Sequence, residues 1–232
     1  MFKVKVIVLF FVFQTVIVFS QNSYKNERIP HEIYGTAIEQ KIFDKDSILL
    51  YKKVFTLNKE FTQDKYEIGT YFYYHKNGVL KAKGNYYKPK DRIDLFERRK
   101  EYKEGEWLFY SNEGSILSSI FFEENMEHGP FKNYHLNGKL ATQGLYKKGV
   151  LDGTYTTFFM NEQPHSKIEY KEGKVFNIVE FYNVEGEKIN HGTLKNGNGT
   201  FKLYDLETGK FKKILKCKNG IKEKETTPKN IN

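Results

Sequence analysis

Six histidines and one cysteine are the side chains of this chain that could ligate a metal or act in nucleophilic catalysis. Zinc sites place histidines and cysteines at short, characteristic spacings, and a catalytic cysteine needs a histidine base beside it. His75 and His135 are far apart and occupy the same place in a repeated motif, while His128 and His191 each precede a glycine. The sequence therefore predicts no metal site, no cofactor and no catalytic histidine.

Other motifs typical of enzymes are also missing from the sequence. There is no Gly-x-Ser-x-Gly motif, and no catalytic signature surrounds Cys217. The carboxylates Glu123 and Glu124 fall between repeated units, where solvated charge is the usual case. Gly197–Gly199 resembles part of a phosphate-binding loop, but no helical pattern follows it. We expect a protein that is not an enzyme, and a carbohydrate-active enzyme outside the cytoplasm is the weakest alternative.

The glycines recur in a fixed frame that predicts a repeated structural unit. The units begin at Gly69, Gly105, Gly129, Gly153, Asn177 and Gly199. In a typical unit the third residue is aromatic, the sixth is tyrosine or phenylalanine, and a glycine follows at about the tenth. From Gly105 to Asn177 a unit starts every 24 residues, which predicts a linear array with no single central core.

Alternation of side chains within each unit predicts two antiparallel strands. The third positions are Tyr71, Trp107, Phe131, Tyr155, Val179 and Phe201, and they share a face with the fifth positions. Turn segments ending in glycine follow, at Gly78, Gly114, Gly138 and Gly186. The Asn-Gly pairs among them favour positive φ angles and predict hairpins. We therefore predict an all-β fold, an elongated antiparallel β-meander of stacked β-hairpin repeats.

The repeat frame divides the chain into regions. Residues 21–68 contain strand-like segments without the glycine frame, which predicts capping strands at one end of the array. Residues 69–220 form the array, and a charged insert at 88–104 interrupts it as a long loop. Residues 221–232 are polar and charged, so we expect a disordered tail.

Residues 1–20 have the features of a secretory signal peptide. Two lysines precede the apolar run Val6–Phe19, and Ser20 is a small residue at the expected cleavage site. We expect cleavage between Ser20 and Gln21. The alternative is a membrane anchor, but the run is short for a spanning helix, which needs ~20 residues. The mature protein is thus expected to be periplasmic or extracellular and not an integral membrane protein.

The positive charge of the chain is spread along its length. The formal net charge is +9, from 38 basic and 29 acidic residues, and only four of the basic residues are arginines. Nucleic-acid-binding proteins usually cluster basic residues on one face and favour arginine. We expect no nucleic-acid partner, while attraction to anionic polymers of the cell envelope stays open.

The sixth position of the unit is the best candidate for a binding surface. Alternation points it to the face opposite the third and fifth positions, unless a bulge intervenes. Tyrosine combines an apolar ring with a polar hydroxyl, which suits a half-exposed interface better than a sealed core. We predict partner contacts for the position-six tyrosines, which are Tyr74, Tyr110, Tyr134, Tyr182 and Tyr204.

The segment His128–Leu140, with the sequence His-Gly-Pro-Phe-Lys-Asn-Tyr-His-Leu-Asn-Gly-Lys-Leu, resembles the variant MORN repeat of bacterial proteins. That repeat follows the pattern Gly-x-Trp/Phe-x-x-Tyr-x-x-x-Gly-x-Leu, and Gly105–Tyr110 matches its opening. The resemblance covers about residues 69–220, and many such chains are labelled YwqK-type antitoxins. It implies β-hairpin modules associated with scaffolding and with protein or membrane contacts, without a shared catalytic residue.

The expected function is that of a non-catalytic exported scaffold, which binds another protein or a component of the cell envelope. The antitoxin resemblance implies an alternative, an immunity-type protein that neutralises a toxin in the periplasm or at the cell surface. A toxin gene beside this gene would favour the alternative.

Overall fold

The computed structural model describes residues 16–19, 22–31, 35–44, 46–56, 65–89, 101–205 and 210–227. Within these residues the chain forms seventeen β-strands and no helix. The strands are β1 Val16–Phe19, β2 Asn22–His31, β3 Gly35–Phe43, β4 Leu49–Thr56, β5 Lys65–Tyr74, β6 Leu80–Pro89, β7 Tyr102–Tyr110, β8 Ile116–Glu123, β9 Met126–Tyr134, β10 Leu140–Lys147, β11 Val150–Leu151, β12 Gly153–Phe158, β13 Pro164–Lys171, β14 Lys174–Phe181, β15 Gly199–Tyr204, β16 Phe211–Lys218 and β17 Ile221–Thr226. The predicted all-β fold is confirmed.

Fourteen of the described strands form one antiparallel sheet, the large sheet. From β1 to β10, and then through β12 to β14, each strand is hydrogen-bonded to the next strand along the chain. The short β11 pairs with the end of β10 and leads into β12. Among the described strands, extensive packing occurs only between neighbours in this order, so the sheet is a single layer. The predicted β-meander of hairpins is therefore confirmed.

The last three strands, β15 to β17, form a second antiparallel sheet, the C-terminal sheet. The N–H of Gly197 donates to the carbonyl of Phe176 in β14 at 2.7 Å, which joins the two sheets. A buried cluster of side chains from both sheets consists of Ile168, Ile178, Phe181, Leu194, Phe201 and Cys217. The unit that begins at Gly199 thus lies in a separate sheet that packs on the end of the large one.

The end of the chain differs from the sequence prediction. A disordered tail is expected from residue 221, whereas Ile221–Thr226 forms β17 and pairs with β16. Asn219 and Gly220 have φ angles of 51° and 73°, and they turn the chain back onto β16. Alternating lysine and glutamate keep β17 exposed, which is typical of an edge strand. Residues 228–232 lie outside the described residues.

Three other predicted regions fall partly outside the described residues. Of the predicted signal peptide, only Val16–Phe19 is described, and it forms β1. The ends of the charged insert at 88–104 belong to β6 and β7, and its residues 90–100 are not described. The predicted capping region contains β2, β3, β4 and the start of β5.

Hairpin turns along one edge of the large sheet, the tip edge, share one geometry. Between β9 and β10, the N–H of His135 donates to the Lys139 carbonyl at 2.8 Å, and the N–H of Gly138 donates to the His135 carbonyl at 2.9 Å. Gly138 has a φ of 80°, whereas the φ of Asn137 is not positive. This is a three-residue loop with a glycine bulge, in place of a two-residue Asn-Gly turn. The equivalent position holds Gly78, Gly114, Glu162 and Gly186.

Along the opposite edge, the base edge, two-residue turns connect β8 with β9, β10 with β11 and β13 with β14. Lys148 and Gly149 have φ angles of 50° and 80°, and positive φ at both residues matches the twist of the flanking strands. The N–H of Gly149 donates to the Glu127 carbonyl at 2.8 Å, and Gly173 repeats this bond to Leu151 one unit later. Each of these turns is therefore hydrogen-bonded to the strand that follows the preceding turn. The other turns of this type are Glu124–Asn125, Glu172–Gly173 and Asn196–Gly197.

Three of the glycines that open the units, Gly69, Gly105 and Gly129, lie inside strands close to a register shift. Gly153 and Gly199 instead begin β12 and β15. Gly129 has a φ of 102°, and the pairing of β8 with β9 shifts register nearby, between Ile120 and Phe122. A Cβ atom at Gly129 would lie 3.3 Å from the Cβ of Phe121, so glycine relieves both backbone and side-chain crowding. The other opening glycines with positive φ are Gly69, Gly105, Gly153 and Gly199.

Aromatic rings from the third and fifth positions cover one face of the large sheet, the aromatic face. Trp107 is only 1% exposed, although the sheet is a single layer. Tyr86 packs edge-on to it, with ring centroids 5.1 Å apart. A Cβ atom at Gly84 would overlap the Trp107 ring, and one at Gly144 would lie 2.9 Å from Phe131. The sheet thus buries its rings against one another and against glycines of the neighbouring strand.

Replacing Trp107 with alanine should lower the free energy of unfolding by about 3–5 kcal/mol, because it leaves a large cavity in the ring row. The melting temperature, measured by circular dichroism, should then fall by roughly 10 °C. Leu136→Ala is the matched control, because Leu136 is 78% exposed. That variant should change the free energy by less than about 0.5 kcal/mol. Unchanged melting of Trp107→Ala would show that the ring is not packed.

Replacing Glu162 with glycine should stabilise the protein. Glu162 has a φ of 70° at the turn position that Gly138 fills elsewhere, and a left-handed conformation costs a non-glycine residue about 1–2 kcal/mol. The exposed ion pair of Glu162 with Lys139, at 3.2 Å, offsets little of this. Urea denaturation should show a gain of about 0.5–1 kcal/mol. Glu162→Gln, which loses the charge and keeps the Cβ atom, should show no gain; an equal gain would assign the effect to charge.

Candidate functional site

The large sheet has two faces of different composition. Opposite the aromatic face lies the polar face, formed by the intervening residues of each strand. There, the Nζ atom of Lys52 lies 4.8 Å from the ring centroid of Phe72, and the hydroxyl of Ser119 donates to Glu106 at 2.6 Å. Charged and apolar side chains therefore mix on the polar face.

The strand pairing decides which face the position-six tyrosines occupy. Tyr73 pairs with Ala82 and Tyr74 with Leu80, so the extra residue of the bulge, Lys81, lies in the return strand. Alternation within β5 is intact, and Tyr74 therefore points away from Tyr73 to the polar face. The pairing of β7 with β8 shifts in the same way.

Four of the position-six tyrosines form a line along the tip edge, which we call the tyrosine row. Tyr74, Tyr110 and Tyr134 end β5, β7 and β9, and Tyr182 follows the end of β14. All four are half-buried. Partial desolvation and the nearby Glu180 carboxylate raise the pKa of Tyr182. The phenol of Tyr182 thus stays protonated and can donate a hydrogen bond at neutral pH.

The fifth position-six tyrosine, Tyr204, does not join this row. It ends β15 in the C-terminal sheet, and its hydroxyl donates to the carbonyl of Asn190 at 2.6 Å. Its ring centroid lies 6.3 Å from that of Phe181 and 5.9 Å from that of Phe211. These contacts place Tyr204 in the packing of the C-terminal sheet.

The histidines at the tip edge connect neighbouring hairpins. The Nε2 atom of His75 lies 3.0 Å from the carbonyl of Tyr110, and that of His135 lies 3.0 Å from the carbonyl of Phe158. A carbonyl can only accept, so Nε2 donates in both bonds. In the part of the chain that the structure describes, no group of three or more His, Cys, Asp or Glu side chains could hold a metal ion.

The turn asparagines connect neighbouring hairpins, a role that the sequence pattern did not predict. The Nδ2 atom of Asn77 donates to the carbonyl of Asn112 at 2.8 Å, and that of Asn137 donates to the carbonyl of Met160 at 3.3 Å. The Oδ1 atom of Asn137 also accepts the N–H of Lys139 at 3.0 Å. Each asparagine therefore fixes its own turn and the next one. Asparagine recurs before the turn glycine in the sequence, but hairpin formation alone was enough to explain that pattern.

Two tyrosines of the aromatic face, Tyr71 and Tyr73, have raised pKa values. The hydroxyl of Tyr71 donates to Glu101, which also lies 3.1 Å from the Nζ atom of Lys53. Burial and then the bond to Glu101 raise the pKa of Tyr71, and burial followed by the contact with Tyr86 raises the pKa of Tyr73. Both phenols stay protonated at neutral pH and act as packed hydrogen-bonding groups.

His165 is buried where the large sheet meets the C-terminal sheet. It is 6% exposed, and its ring packs edge-on against Phe159 and Phe181, with centroids 4.8 Å away in each case. Its Nδ1 atom lies 2.9 Å from the hydroxyl of Thr157, while Nε2 is buried without a partner among the described residues. Burial lowers the pKa of His165, so the ring is neutral at pH 7.

A cleft of about 350 Å³ opens beside β14, at the start of the C-terminal sheet. Asn177, Ile178 and residues 191–195 line it. The Oδ1 atom of Asn177 accepts the N–H of Asn196 at 2.9 Å. Burial, and then the charge of Lys188, lower the pKa of His191. The hydrogen bond between Asn177 and Asn196 thus occupies part of the polar lining of the cleft.

A family model described as the MORN repeat variant matches residues 67–88 and 127–148. Each match spans one hairpin, β5 with β6 and β9 with β10, so the chain contains variant MORN repeats at these two positions. MORN repeats are generally involved in binding proteins or membranes. No curated protein gives a significant match to the chain. The described residues contain no helix of the length and hydropathy needed to cross a bilayer.

Stability should fall as the pH drops below about 6.5. The pKa of His165 is lower in the folded protein than the value of about 6.5 in an unfolded chain, so below that pH the unfolded chain binds a proton that the folded protein does not. Urea denaturation at two pH values, one above and one below the unfolded-chain value of about 6.5, measures the decrease in the free energy of unfolding. His165→Asn keeps a polar group near Thr157 but cannot titrate, so it should lose less stability between the two. An equal loss would contradict the assignment.

Proposed function

We propose that this is a non-catalytic, exported repeat protein that binds another protein or an envelope component through the polar face of its large sheet. The observation that carries the proposal is the tyrosine row, four half-buried phenols aligned along the tip edge. Half-exposed tyrosine offers apolar area and a hydrogen-bonding group with little conformational entropy to lose, which favours interfaces. The general role of MORN repeats in binding supports the same function.

The construction of the tip edge supports a binding role because it holds the row rigid. Asn77 and Asn137 connect their turns to the next turns, and His75 and His135 bond to backbone carbonyls of the following hairpin. A preorganised surface loses less entropy on association than a flexible one. The tyrosine row can therefore meet a partner without rearrangement.

A hydrogen-bonded chain of hydroxyl and imidazole groups in the described residues is buried, which supports a non-catalytic protein. The hydroxyl of Thr157 lies 2.9 Å from the Nδ1 atom of His165 and 2.7 Å from the hydroxyl of Ser166. His165 is 6% exposed and Ser166 is 2% exposed. A nucleophilic hydroxyl must be accessible to its substrate, and burial keeps these groups from one. They therefore contribute to packing.

Export follows from the predicted signal peptide of residues 1–20. Protein recovered from outside the cytoplasm should begin at Gln21, because cleavage is expected after Ser20. Intact-mass spectrometry of the native protein measures this. A protein that retains Met1 would reject the export proposal and leave the sheet architecture untouched.

Replacing Tyr74, Tyr110 and Tyr182 together with alanine should reduce capture of the partner by the immobilised protein. Proteins from the cell-envelope fraction that bind the wild-type protein would be identified and quantified by mass spectrometry. Loss of about 1 kcal/mol per ring, if additive, predicts a decrease of roughly a hundredfold in affinity. The triple Tyr→Phe variant keeps the rings and should retain most of the binding. A folded alanine variant that captures the same proteins equally well would remove the tyrosine row from the interface.

A further inference from the structure

One row of directly paired residues crosses the polar face beside the tyrosine row. We call it the central row. Residues that are directly opposite in paired strands share a face, so this row is continuous across the sheet. In order it contains Phe72, Lys83, Leu108, Ser119, Lys132, Gln143, Thr156, Lys167 and Glu180.

The lysines of the central row recur at equal intervals. Lys83 lies in β6, Lys132 in β9 and Lys167 in β13, and each interval is three strands in sheet order. At about 4.8 Å per strand, the interval is about 14 Å. Lys132 and Lys167 are exposed and Lys83 is half-buried. Within the described part of the chain, none of the three forms an ion pair.

Other charges nearby on the polar face are already engaged. Lys41 and Lys52 both bind Glu39, at 2.8 Å and 2.9 Å, which leaves a net charge of +1 in this group near β3 and β4. The carboxylate of Glu106 accepts the Ser119 hydroxyl, and that of Glu169 accepts a bond from Asn177 at 2.5 Å. The central row itself carries three lysines and one carboxylate, Glu180, which is paired directly opposite Lys167, so its net charge is +2.

The tyrosine row runs parallel to these lysines. Tyr134 is two residues from Lys132 in the same strand, which places their backbones about 7 Å apart on one face. Tyr110 stands in the same relation to Leu108. Rings and ammonium groups together form a narrow strip that crosses the strands and offers both apolar contact and positive charge.

The twist of the sheet limits what can bind the whole strip. Neighbouring strands rotate by roughly 20–25°, so each three-strand interval turns the strip by about 60–75°. A planar bilayer or a stiff duplex cannot contact all three lysines on such a surface. A flexible linear chain can follow it, and an extended polypeptide advances about 14 Å in four residues.

We infer that the strip formed by the tyrosine row and the central row binds an extended acidic polypeptide segment with carboxylates about four residues apart. This rests on the proposed function and names its partner chemistry. The lysines pair with the carboxylates, and the rings of the tyrosine row cover apolar residues between them. The ligand crosses the strands and does not extend the sheet at its edge.

Two peptides of about 12 residues, long enough to span the lysines, test the inference with the full-length protein. They have the same composition, but in one the glutamates are four residues apart and in the other they are contiguous. Fluorescence anisotropy at low salt should show tighter binding of the spaced peptide, and added salt should weaken it. Equal binding of the two peptides would overturn the spacing argument.

Lys83→Gln, Lys132→Gln and Lys167→Gln together should weaken binding of the spaced peptide at least about tenfold. The matched control replaces Lys212, Lys216 and Lys218, which are exposed on β16, and removes the same charge from the C-terminal sheet. The control should weaken binding less than about threefold. An equal loss of affinity in both variants would show that binding depends only on the net charge of the protein, and it would overturn the inference.

Vesicles of phosphatidylglycerol are the competing ligand. If they bind with higher affinity than the spaced peptide and depend on the same three lysines, the strip is a membrane surface and the inference is overturned. If the lysine variant captures envelope proteins like the wild type while the tyrosine variant does not, the inference fails and the proposed function stands. If the tyrosine variant still captures the envelope proteins as well as the wild type does, the proposed function itself is contradicted.

Discussion

A sheet without a second layer can bury a ring only beneath the neighbours of that ring, and this constraint organises the molecule. Trp107 is 1% exposed because Tyr86, Tyr73 and Phe122 surround it and Gly84 leaves room for it. Each ring therefore depends on the hairpins at both sides. Stability is divided among interfaces between neighbouring units, as in other repeat arrays. At the C-terminal end, a separate sheet supplies the cover for Phe181 that a further hairpin would give.

The two edges of the sheet fix the hairpins relative to one another by different means. At the base edge, backbone bonds such as that from Gly149 to Glu127 connect a turn to the strand that follows the preceding turn. At the tip edge, side chains such as that of Asn137 donate hydrogen bonds to the next turn. Because both edges are held, the polar face keeps a defined spacing of residues across its strands. That regularity is what allows the tyrosine row and the central row to act as one extended surface.

Much of the fold could be predicted from the sequence, because period-two alternation and a glycine frame of 24 residues act locally. The faces could also be assigned from alternation, since the bulge beside Tyr74 lies in the return strand. Other features depend on contacts that alternation does not encode. The separate C-terminal sheet removes Tyr204 from the tyrosine row, and β17 forms from charged residues that resemble a tail. Burial of His165 depends on Phe159 and Phe181, which only the folded chain brings to it.

Distances between turns of the tip edge test most directly whether the hairpins pair edge to edge in a single layer. Spin labels can be attached in pairs at Lys76, Asn112, Leu136 and Met160, in a Cys217→Ala background, and measured by pulsed electron resonance. Hairpins that pair edge to edge in one layer predict distances that grow with each hairpin, by at least about 10 Å per step. Distances that stop growing, or that return to short values between Lys76 and Met160, would show a closed or layered fold and rule out the single-layer sheet.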